Sequence, residues 1–252
     1  MDVYWLEQSE KDVPDEIDWL SEDEARFMDG LRFAPRRTSW SLGRWTAKRA
    51  VAAYLNLPDS ASALPRIEIR PAATGAPEVF LDGQHAAISI SLSHRSGKAL
   101  CAVAPGAVEL GCDLELIEPH SSAFVGDYFT AEEQALVERQ PEADRPWLVA
   151  LLWSAKESAL KALHAGLRLD TRSVVVYPLD LSFDQQDWKP FLARHAGEKV
   201  FHGWWQIAGS TVRTIAAAPP PALPIPLQIA PSVSEGSPCD AASGLLIVSA
   251  RN

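Results

Sequence analysis

Residues 107–116 alternate between two kinds of side chain, and this alternation constrains the fold more than any other feature of the chain. One set is apolar and comprises Val108, Leu110, Cys112, Leu114 and Leu116. The other set comprises Glu109, Gly111, Asp113 and Glu115. Side chains of a β-strand point alternately to opposite faces, so the pattern predicts a half-buried strand. Asp113 and Glu115 then point the same way, with Cα atoms about 7 Å apart. Two such carboxylates can bind one hard cation such as Mg²⁺, although an isolated pair is more often a solvated sheet edge.

The same periodicities predict the other elements. Capping boxes, Ser21 with Glu24 and Thr130 with Glu133, begin two of the helices. Strands 99–104 and 107–116, joined by a turn at Pro105-Gly106, are interpreted as a β-hairpin. The remaining strands are predicted near residues 3–7, 67–69, 86–93 (ending at His94), 173–177, 200–208 and 211–218, and the helices at about 22–29, 39–56, 130–139 and 146–164.

Helices and antiparallel-looking strands follow in a similar rhythm in each half. The fold class is therefore predicted as α+β, with two similar subdomains over residues 1–105 and 106–218, although no residue-level repeat is visible. From Pro219 the composition changes, since seven of the 19 prolines lie in residues 219–252. This third segment is predicted to be extended or partly disordered, with residues 245–248 as a candidate edge strand.

Charge and cysteine content exclude several classes of protein. A net charge of -10 argues against a general nucleic-acid binder, although residues 32–49 form a local basic segment without an acid. The chain has no apolar run of 18 residues and no secretory signal at its N-terminus, which predicts no membrane span. Three scattered cysteines predict neither a disulfide framework nor a zinc site. A reducing cytoplasm is the expected compartment.

The predicted helix 146–164 carries a second group of polar residues. Trp153, Glu157 and Lys161 are spaced by four, so they share one face of the helix. A Glu–Lys pair at this spacing is common on helix surfaces and contributes only about 0.3–0.5 kcal/mol. By itself this pattern indicates an ordinary amphipathic helix.

The two segments together resemble the paired signatures of the 4′-phosphopantetheinyl transferase family, which are approximately G-[IVC]-D-x-E and W-[ST]-x-K-E-[AS]-x-x-K. Residues 111–115 read G-C-D-L-E, and residues 153–161 read W-S-A-K-E-S-A-L-K. Shorter stretches also resemble the family: Phe129-Thr130 with Glu133, Ser93-His94, and Arg70 followed by Gly75 and Pro77. The resemblance covers residues 25–218. It implies the larger, two-lobed (surfactin-synthetase-activating) class, with two α/β subdomains related by a pseudo-twofold axis.

This resemblance implies transfer of the 4′-phosphopantetheine arm of coenzyme A to a serine of an acyl or peptidyl carrier protein. Asp113, Glu115 and Glu157 would hold Mg²⁺, for which Mn²⁺ can substitute. Glu157 would accept the serine proton, either directly or through a metal-bound water. Lys161 would bind the bridging pyrophosphate and help the leaving phosphate depart. The implied CoA contacts are Arg32, Arg36, Arg37, Arg70, Gly75, Pro77, Ser93, His94, Lys156 and Lys161.

Several readings stay open at this level. Ala76 stands where the family often has Lys or Arg, so one nucleotide contact is missing or has moved to Arg70 or to the 32–37 cluster. Lys156 is either a phosphate contact or a partner of another side chain, and Arg44, Lys48 and Arg49 are either phosphate contacts or a solvated helix face. The alternatives are another Mg²⁺-dependent phosphoester enzyme, a non-catalytic carrier-protein or CoA-binding protein, and a nucleic-acid module on residues 32–49. A monomer with no nucleic-acid or membrane partner is expected, and fatty-acid, polyketide and non-ribosomal peptide carriers are all open.

Overall fold

The computed structural model describes residues 1–165, 169–182, 187–195 and 199–229, which form an α+β fold with two mostly antiparallel sheets. Its strands are β1 (Tyr4–Ser9), β2 (Ile67–Pro71), β3 (Pro77–Leu81), β4 (Gln84–Arg95), β5 (Lys98–Pro105), β6 (Glu109–Leu116), β7 (Val174–Pro178), β8 (Lys189–His195), β9 (Val200–Ala208), β10 (Thr211–Ala218) and β11 (Ile225–Pro226). Its helices are α1 (Glu22–Asp29), α2 (Ala34–Tyr54), α3 (Ser122–Tyr128), α4 (Ala131–Glu138) and α5 (Arg145–Ala162). None of the helices in this part of the chain is long and apolar enough to cross a membrane.

The two sheets share one strand order. The first sheet runs β11-β1-β5-β4-β3-β2, and the second runs β6-β10-β9-β8-β7. If the short parallel strand β11 is set aside, each sheet places its first strand beside its last and then descends in chain order. A long helix follows the first strand in each half, α2 after β1 and α5 after β6. Each helix packs on its own sheet, and a third apolar cluster fills the space between the sheets.

The predicted hairpin of residues 99–104 and 107–116 is wrong, because its two strands belong to different sheets. β5 pairs with β1 and β4, whereas β6 pairs with β10. The apolar face of β6 packs onto the face of β5, where Leu110 and Cys112 join Leu100 in the cluster between the sheets. Because β5 already has a strand on each side, β6 cannot pair with it at an edge. The hairpin in this region is β4–β5, and its turn, Ser96-Gly97, has positive φ at both residues.

Most local signals predicted their elements closely. Both capping boxes form, and the helices begin one residue after Ser21 and Thr130. α2 begins earlier than predicted, at Ala34, since a proline is accommodated in the first turn of a helix. The sequence analysis missed α3, β3 and β8. Within the predicted tail, β11 pairs with β1, and residues 245–248 lie outside the described residues.

The sequence analysis found no residue-level repeat, but the corresponding helices of the two halves share a short one. Residues 45–48 of α2 read W-T-A-K, and residues 153–156 of α5 read W-S-A-K. Each lysine is fully buried and forms an ion pair with the glutamate of a capping box, Lys48 with Glu24 and Lys156 with Glu133. The second oxygen of each glutamate accepts a hydrogen bond from the backbone of the next strand, at residue 69 or 176. The repeat therefore includes matching contacts as well as matching letters.

Candidate active site

A glycine allows the helix and the strand that carry the predicted catalytic residues to approach closely. Asp113 and Glu115 lie on β6, and Glu157 and Lys161 lie on α5, which crosses β6 and β10. A Cβ atom at Gly111 would collide with the backbone carbonyl of Ser158, so a larger residue would push α5 away from β6. This close packing brings Lys161 to Asp113.

Asp113 is almost fully buried, with 3% of its surface exposed. Its Oδ1 accepts hydrogen bonds from Lys161 Nζ and Ser93 Oγ, both at 2.7 Å. Its Oδ2 is buried and has no hydrogen-bond partner among the described residues. Lys161 also donates to the carbonyl of Cys112 at 3.0 Å. Asp113 thus holds Lys161 with one oxygen and leaves the other available.

Glu157 and Glu115 are less acidic than ordinary glutamates. Burial, together with the charges of Asp113 and Glu115, raises the pKa of Glu157 to about 7, against the opposing attraction of Lys161. One of its oxygens, Oε1, is buried without a partner among the residues that the structure describes. Burial and the charge of Asp113 also raise the pKa of Glu115. Trp153 Nε1 donates to Glu115 Oε1 at 3.2 Å, and Arg95 Nε lies 3.4 Å from Oε2.

The carboxylates fit a hard divalent cation by their chemistry. Oxygen donors suit Mg²⁺, and the unpartnered oxygens of Asp113 and Glu157 are positions that a cation could fill. In the described part of the chain, however, no three His, Cys, Asp or Glu side chains converge as a ready-made metal-ligand group. Glu115 is instead engaged by Trp153 and Arg95.

A cavity of about 600 Å³ opens beside this cluster, on the side of the first sheet. It is lined by five of the predicted CoA contacts: Arg70, Gly75, Pro77, Ser93 and His94. Phe27, Trp40 and Arg44 form another part of its wall. A second cavity, of about 240 Å³, shares Gly75 and Pro77 with the first and reaches Lys161. The two neighbouring cavities are thus lined by Arg70 on one side and by Lys161 on the other.

The cavity wall includes residues that the sequence analysis left open or missed. The Arg44 guanidinium lies 4.9 Å from the Trp40 ring and 3.6 Å from Glu24 Oε1, and it is only 16% exposed. Phe27 packs against Trp40 with ring centroids 5.4 Å apart. The four-residue spacing of Trp40 and Arg44 on one helix was the available sequence signal for their association.

The interpretation of Arg44, Lys48 and Arg49 as a solvated helix face is wrong. Lys48 is fully buried, and its Nζ donates to the carbonyls of Trp19 and Leu64. Arg49 is largely buried beside Asp59. Lys48 and Arg49 therefore lie inside the first half and bind residues that pack against α2, whereas Arg44 lines the cavity.

The structure also moves Lys156 away from the substrate contacts. Its side chain is fully buried, with Nζ 2.8 Å from Glu133 Oε2 and hydrogen bonds to the carbonyls of Thr171 and Val174. Burial lowers its pKa, and Glu133 partly offsets this. A fully buried ammonium cannot contact a bound nucleotide. Of the two interpretations of Lys156, the one that makes it a partner of another side chain, here Glu133, is therefore correct.

The arginines that follow α1 do not reach the cavity wall. Arg32, Arg36 and Arg37 are exposed, and none of them lines the cavity. Arg37 lies 3.7 Å from Asp29 across the turn between α1 and α2. The cluster of Asp113, Glu115, Glu157 and Lys161 is brought together as predicted, whereas the basic segment is divided between the cavity and the surface.

Comparisons with known proteins bear on the second half of the chain. Residues 109–216 match the ACPS family model, which describes the 4′-phosphopantetheinyl transferase superfamily. None of the curated proteins matches the chain.

Several solved structures are similar to part of the chain. A holo-(acyl-carrier-protein) synthase from Bacillus anthracis str. Ames, in complex with CoA (3′,5′-ADP), is 22% identical over 40% of this chain and 92% of its own, with a TM-score of 0.34. The Helicobacter pylori holo-[acyl-carrier-protein] synthase in complex with coenzyme A is 17% identical over 41% and 99%, with a TM-score of 0.29. The Thermotoga maritima holo-[acyl-carrier-protein] synthase is 19% identical over 51% and 74%, with a TM-score of 0.34.

Proposed function

We propose, from the membership of residues 109–216 in the 4′-phosphopantetheinyl transferase superfamily, that the chain transfers 4′-phosphopantetheine from CoA to a serine of a carrier protein. One observation carries the proposal. The cluster of Asp113, Glu115, Glu157 and Lys161 lies beside a cavity lined by the residues that the family resemblance implies for CoA. The acyl or peptidyl carrier partner and its pathway stay predictions, as do a cytoplasmic location and a monomeric state.

The nucleotide end of CoA would occupy the larger cavity. Phe27 and Trp40 supply aromatic surface for the adenine ring, and Arg70 and Arg44 supply guanidinium groups near it. Arginines suit terminal phosphates because their planar donors can bind two oxygens at once. Ala76 cannot make the nucleotide contact of the Lys or Arg that the family often has at this position. In this assignment, Arg70 on β2 and Arg44 on α2 take over that contact. Ser93 lines the cavity and donates to Asp113, and His94 lines the cavity next to it, so the pyrophosphate would pass here.

The reaction would form a bond between the serine Oγ and the phosphorus that carries pantetheine, and would break the bridging P–O bond to release 3′,5′-ADP. Asp113, Glu115 and Glu157 would hold Mg²⁺, which neutralises pyrophosphate charge when bound. Without a cation, burial and the charge of Asp113 raise the pKa of Glu157 to about 7. A bound Mg²⁺ would favour the ionised carboxylate, which is the form that accepts the serine proton. Burial acts to lower the pKa of Lys161, but Asp113 and its other neighbours raise it overall, so its ammonium stays charged for the leaving phosphate.

We also propose that residues 1–105 and 106–218 are two similar subdomains of the larger, two-lobed class, related by a pseudo-twofold axis. The shared strand order and the repeated Glu–Lys pairs support this division. The chain passes from the first sheet to the second between β5 and β6. Because β11 returns to β1, part of the segment after residue 218 packs with the first subdomain.

The direct test is incubation of the protein with CoA, Mg²⁺ and a panel of apo carrier proteins, followed by mass spectrometry. A mass gain of about 340 Da on a carrier is the expected result, since the added group is one phosphopantetheine. Asp113→Asn and Glu157→Gln should each slow transfer by at least about 100-fold.

Glu109→Gln is the matched control, because Glu109 lies on the same face of β6 but pairs with Lys199 away from the cluster. No mass gain with any carrier, or full activity in Glu157→Gln, contradicts the proposal. Hydrolysis of CoA without a carrier would indicate a phosphoester hydrolase, and CoA binding without turnover would indicate a non-catalytic protein.

A further inference from the structure

Arg95 joins the two sheets at the edge of the carboxylate cluster. It is the last residue of β4, directly after His94, and its guanidinium touches two acidic residues of the second half. Its Nε lies 3.4 Å from Glu115 Oε2, and its Nη2 lies 2.8 Å from Glu118 Oε1. Arg95 and Glu118 are nearly half exposed, whereas Glu115 is largely covered. One cation at the rim of the cluster is therefore shared between an inner and an outer carboxylate.

The three candidate metal ligands differ in what they must release to bind a cation. Asp113 and Glu157 each have an oxygen without a hydrogen-bond partner in the part of the chain that the structure describes. Glu115 has no such oxygen, because Trp153 donates to Oε1 and Arg95 lies against Oε2. A divalent cation that binds Glu115 at Oε2 must displace a positive charge.

The local charge balance indicates how this displacement is made easier. Asp113, Glu115 and Glu157, with Lys161 beside them, carry a formal net charge of −2 when all are ionised, which one divalent cation would neutralise. Arg95 and Glu118 cancel each other. When a cation binds Glu115, Arg95 keeps an ion pair with Glu118, so it does not become an unpaired charge.

We propose that Arg95 is a positioning residue that competes with the divalent cation for Glu115, and that Glu118 sets the strength of this competition. The proposal rests on the metal site described under the proposed function. In this proposal, the Arg95–Glu118 pair controls how tightly the carboxylate cluster binds the cation. Like charges repel, so removal of Arg95 should strengthen cation binding. Removal of the charge of Glu118 should leave Arg95 to Glu115 alone and weaken cation binding.

The experiment titrates Mn²⁺ alone into the full chain, without CoA or carrier, and measures the dissociation constant by isothermal titration calorimetry at low salt. Arg95→Gln should bind Mn²⁺ about three- to tenfold more tightly than the unmodified chain, a modest change because water screens a half-exposed guanidinium. Glu118→Gln should bind it more weakly by about the same factor. Arg66→Gln is the control, since Arg66 forms a similarly exposed pair with Asp82 at the far edge of the first sheet. Its affinity should not change.

Opposite shifts in the two variants separate this role from a merely structural one, which would weaken binding in both. Unchanged or weaker binding in Arg95→Gln overturns the proposal, as does the absence of Mn²⁺ binding in both the unmodified chain and Arg95→Gln. If Arg95→Gln does not fold, Arg95→Lys replaces it. Lysine keeps the charge without the forked donors, so Lys should leave the affinity within about twofold, and a larger change overturns the proposal.

The metal titration and the transfer assay can fail separately. Opposite shifts in Mn²⁺ affinity without any modified carrier would support this inference and contradict the proposed function. Carrier modification with unchanged Mn²⁺ affinity in Arg95→Gln would support the proposed function and contradict this inference.

Discussion

Glu157 and Asp113 each have a buried carboxylate oxygen without a hydrogen-bond partner among the described residues. A buried acceptor in this state carries a desolvation cost, and such positions occur at functional sites more often than in ordinary cores. The motif letters predicted which residues form the cluster. The missing partners arise only from the packing of α5 against β6, which excludes water from this side of the strand.

The pKa of Glu157 predicts how stability depends on pH in the absence of divalent cations. Between pH 4.5 and about 7 the unfolded chain loses the Glu157 proton while the folded chain retains it. The folded state therefore binds more protons in this range, and its free energy of unfolding should fall as pH rises through it. Urea unfolding at pH 5 and pH 8, with a chelator present, measures this fall.

Glu157→Gln removes this contribution, so the decrease from pH 5 to pH 8 should be smaller in the variant. Gln is neutral at both pH values. The free energy of unfolding of the variant, relative to that of the unmodified chain, should therefore increase most at pH 8. An identical pH dependence in the two proteins would contradict the raised pKa. Addition of Mg²⁺ at pH 8 should stabilise the unmodified chain more than the variant.

At the level of elements, the buried pair of Lys156 and Glu133 fastens α4 and β7 to α5. Glu133 accepts from the backbone nitrogens of Thr130 and Val176, and Lys156 donates to carbonyls that precede and begin β7. The pair thus satisfies backbone groups of three elements at once. The same arrangement around Glu24 and Lys48 holds α1 and β2 to α2.

Lys156→Met should lower the free energy of unfolding by about 3–5 kcal/mol, because it leaves the Glu133 charge buried without its partner. Equilibrium urea denaturation measures the loss. The folded variant should keep its KM for CoA within about twofold, since Lys156 is fully buried and does not contact the cavities.

Lys98→Met is the comparison for an exposed pair, because Lys98 is 39% exposed beside Glu7. It should cost less than about 1 kcal/mol. A tenfold rise in the KM for CoA in Lys156→Met would instead return Lys156 to the substrate contacts. A loss below about 1 kcal/mol would contradict the structural role of the pair.

The prediction of helix starts succeeded because their signal is local. The prediction of strand partners failed because it depends on which strands pair in the sheets. The capping boxes of α1 and α4 depend on side chains three residues apart, so the sequence alone locates those helix starts. The strands β5 and β6 were recognised, but their partners were not. A short turn at Pro105-Gly106 is compatible with a hairpin and with passage to a second sheet, and only the occupied edges of β5 exclude the hairpin.

On the scale of the whole molecule, the cavities and the catalytic cluster draw residues from both sheets. Arg70 and Ser93 lie on strands of the first sheet, whereas Lys161 lies on the helix that covers the second. Ser93 donates to Asp113, and Ser91 accepts from the backbone nitrogen of Cys112, so hydrogen bonds connect the sheets beside the cluster. A ligand that extends from Arg70 to Lys161 would contact both halves.

CoA should therefore stabilise the whole chain against thermal unfolding and should raise the temperature of one shared transition. At 100 times its dissociation constant, a ligand specific for the folded state adds about 2.7 kcal/mol. Arg70→Gln should reduce the shift, because Arg70 lines the cavity. Differential scanning calorimetry with and without CoA measures both effects.

Arg66→Gln serves as the control here too, since Arg66 precedes the same strand but does not line the cavity. Its CoA-induced shift should equal that of the unmodified chain. An equal shift in Arg70→Gln would remove Arg70 from the proposed nucleotide contacts. Two separate transitions, of which CoA moves only one, would contradict a site shared by both sheets.

The sequence by itself determined most of the strands, the capped helices and the carboxylate-bearing motifs, because side-chain periodicity and residue spacing act over a few positions. Tertiary structure decided which cations reach the site. Lys156 and Lys161 lie five residues apart on α5, yet one is fully buried against Glu133 and the other meets Asp113. Arg44 lines the cavity, and Arg95 contacts Glu115 of the carboxylate cluster. Arg32, Arg36 and Arg37 are exposed and do not line the cavity. All of these residues carry the same formal charge, and only the packing of helices and sheets assigns each its partner.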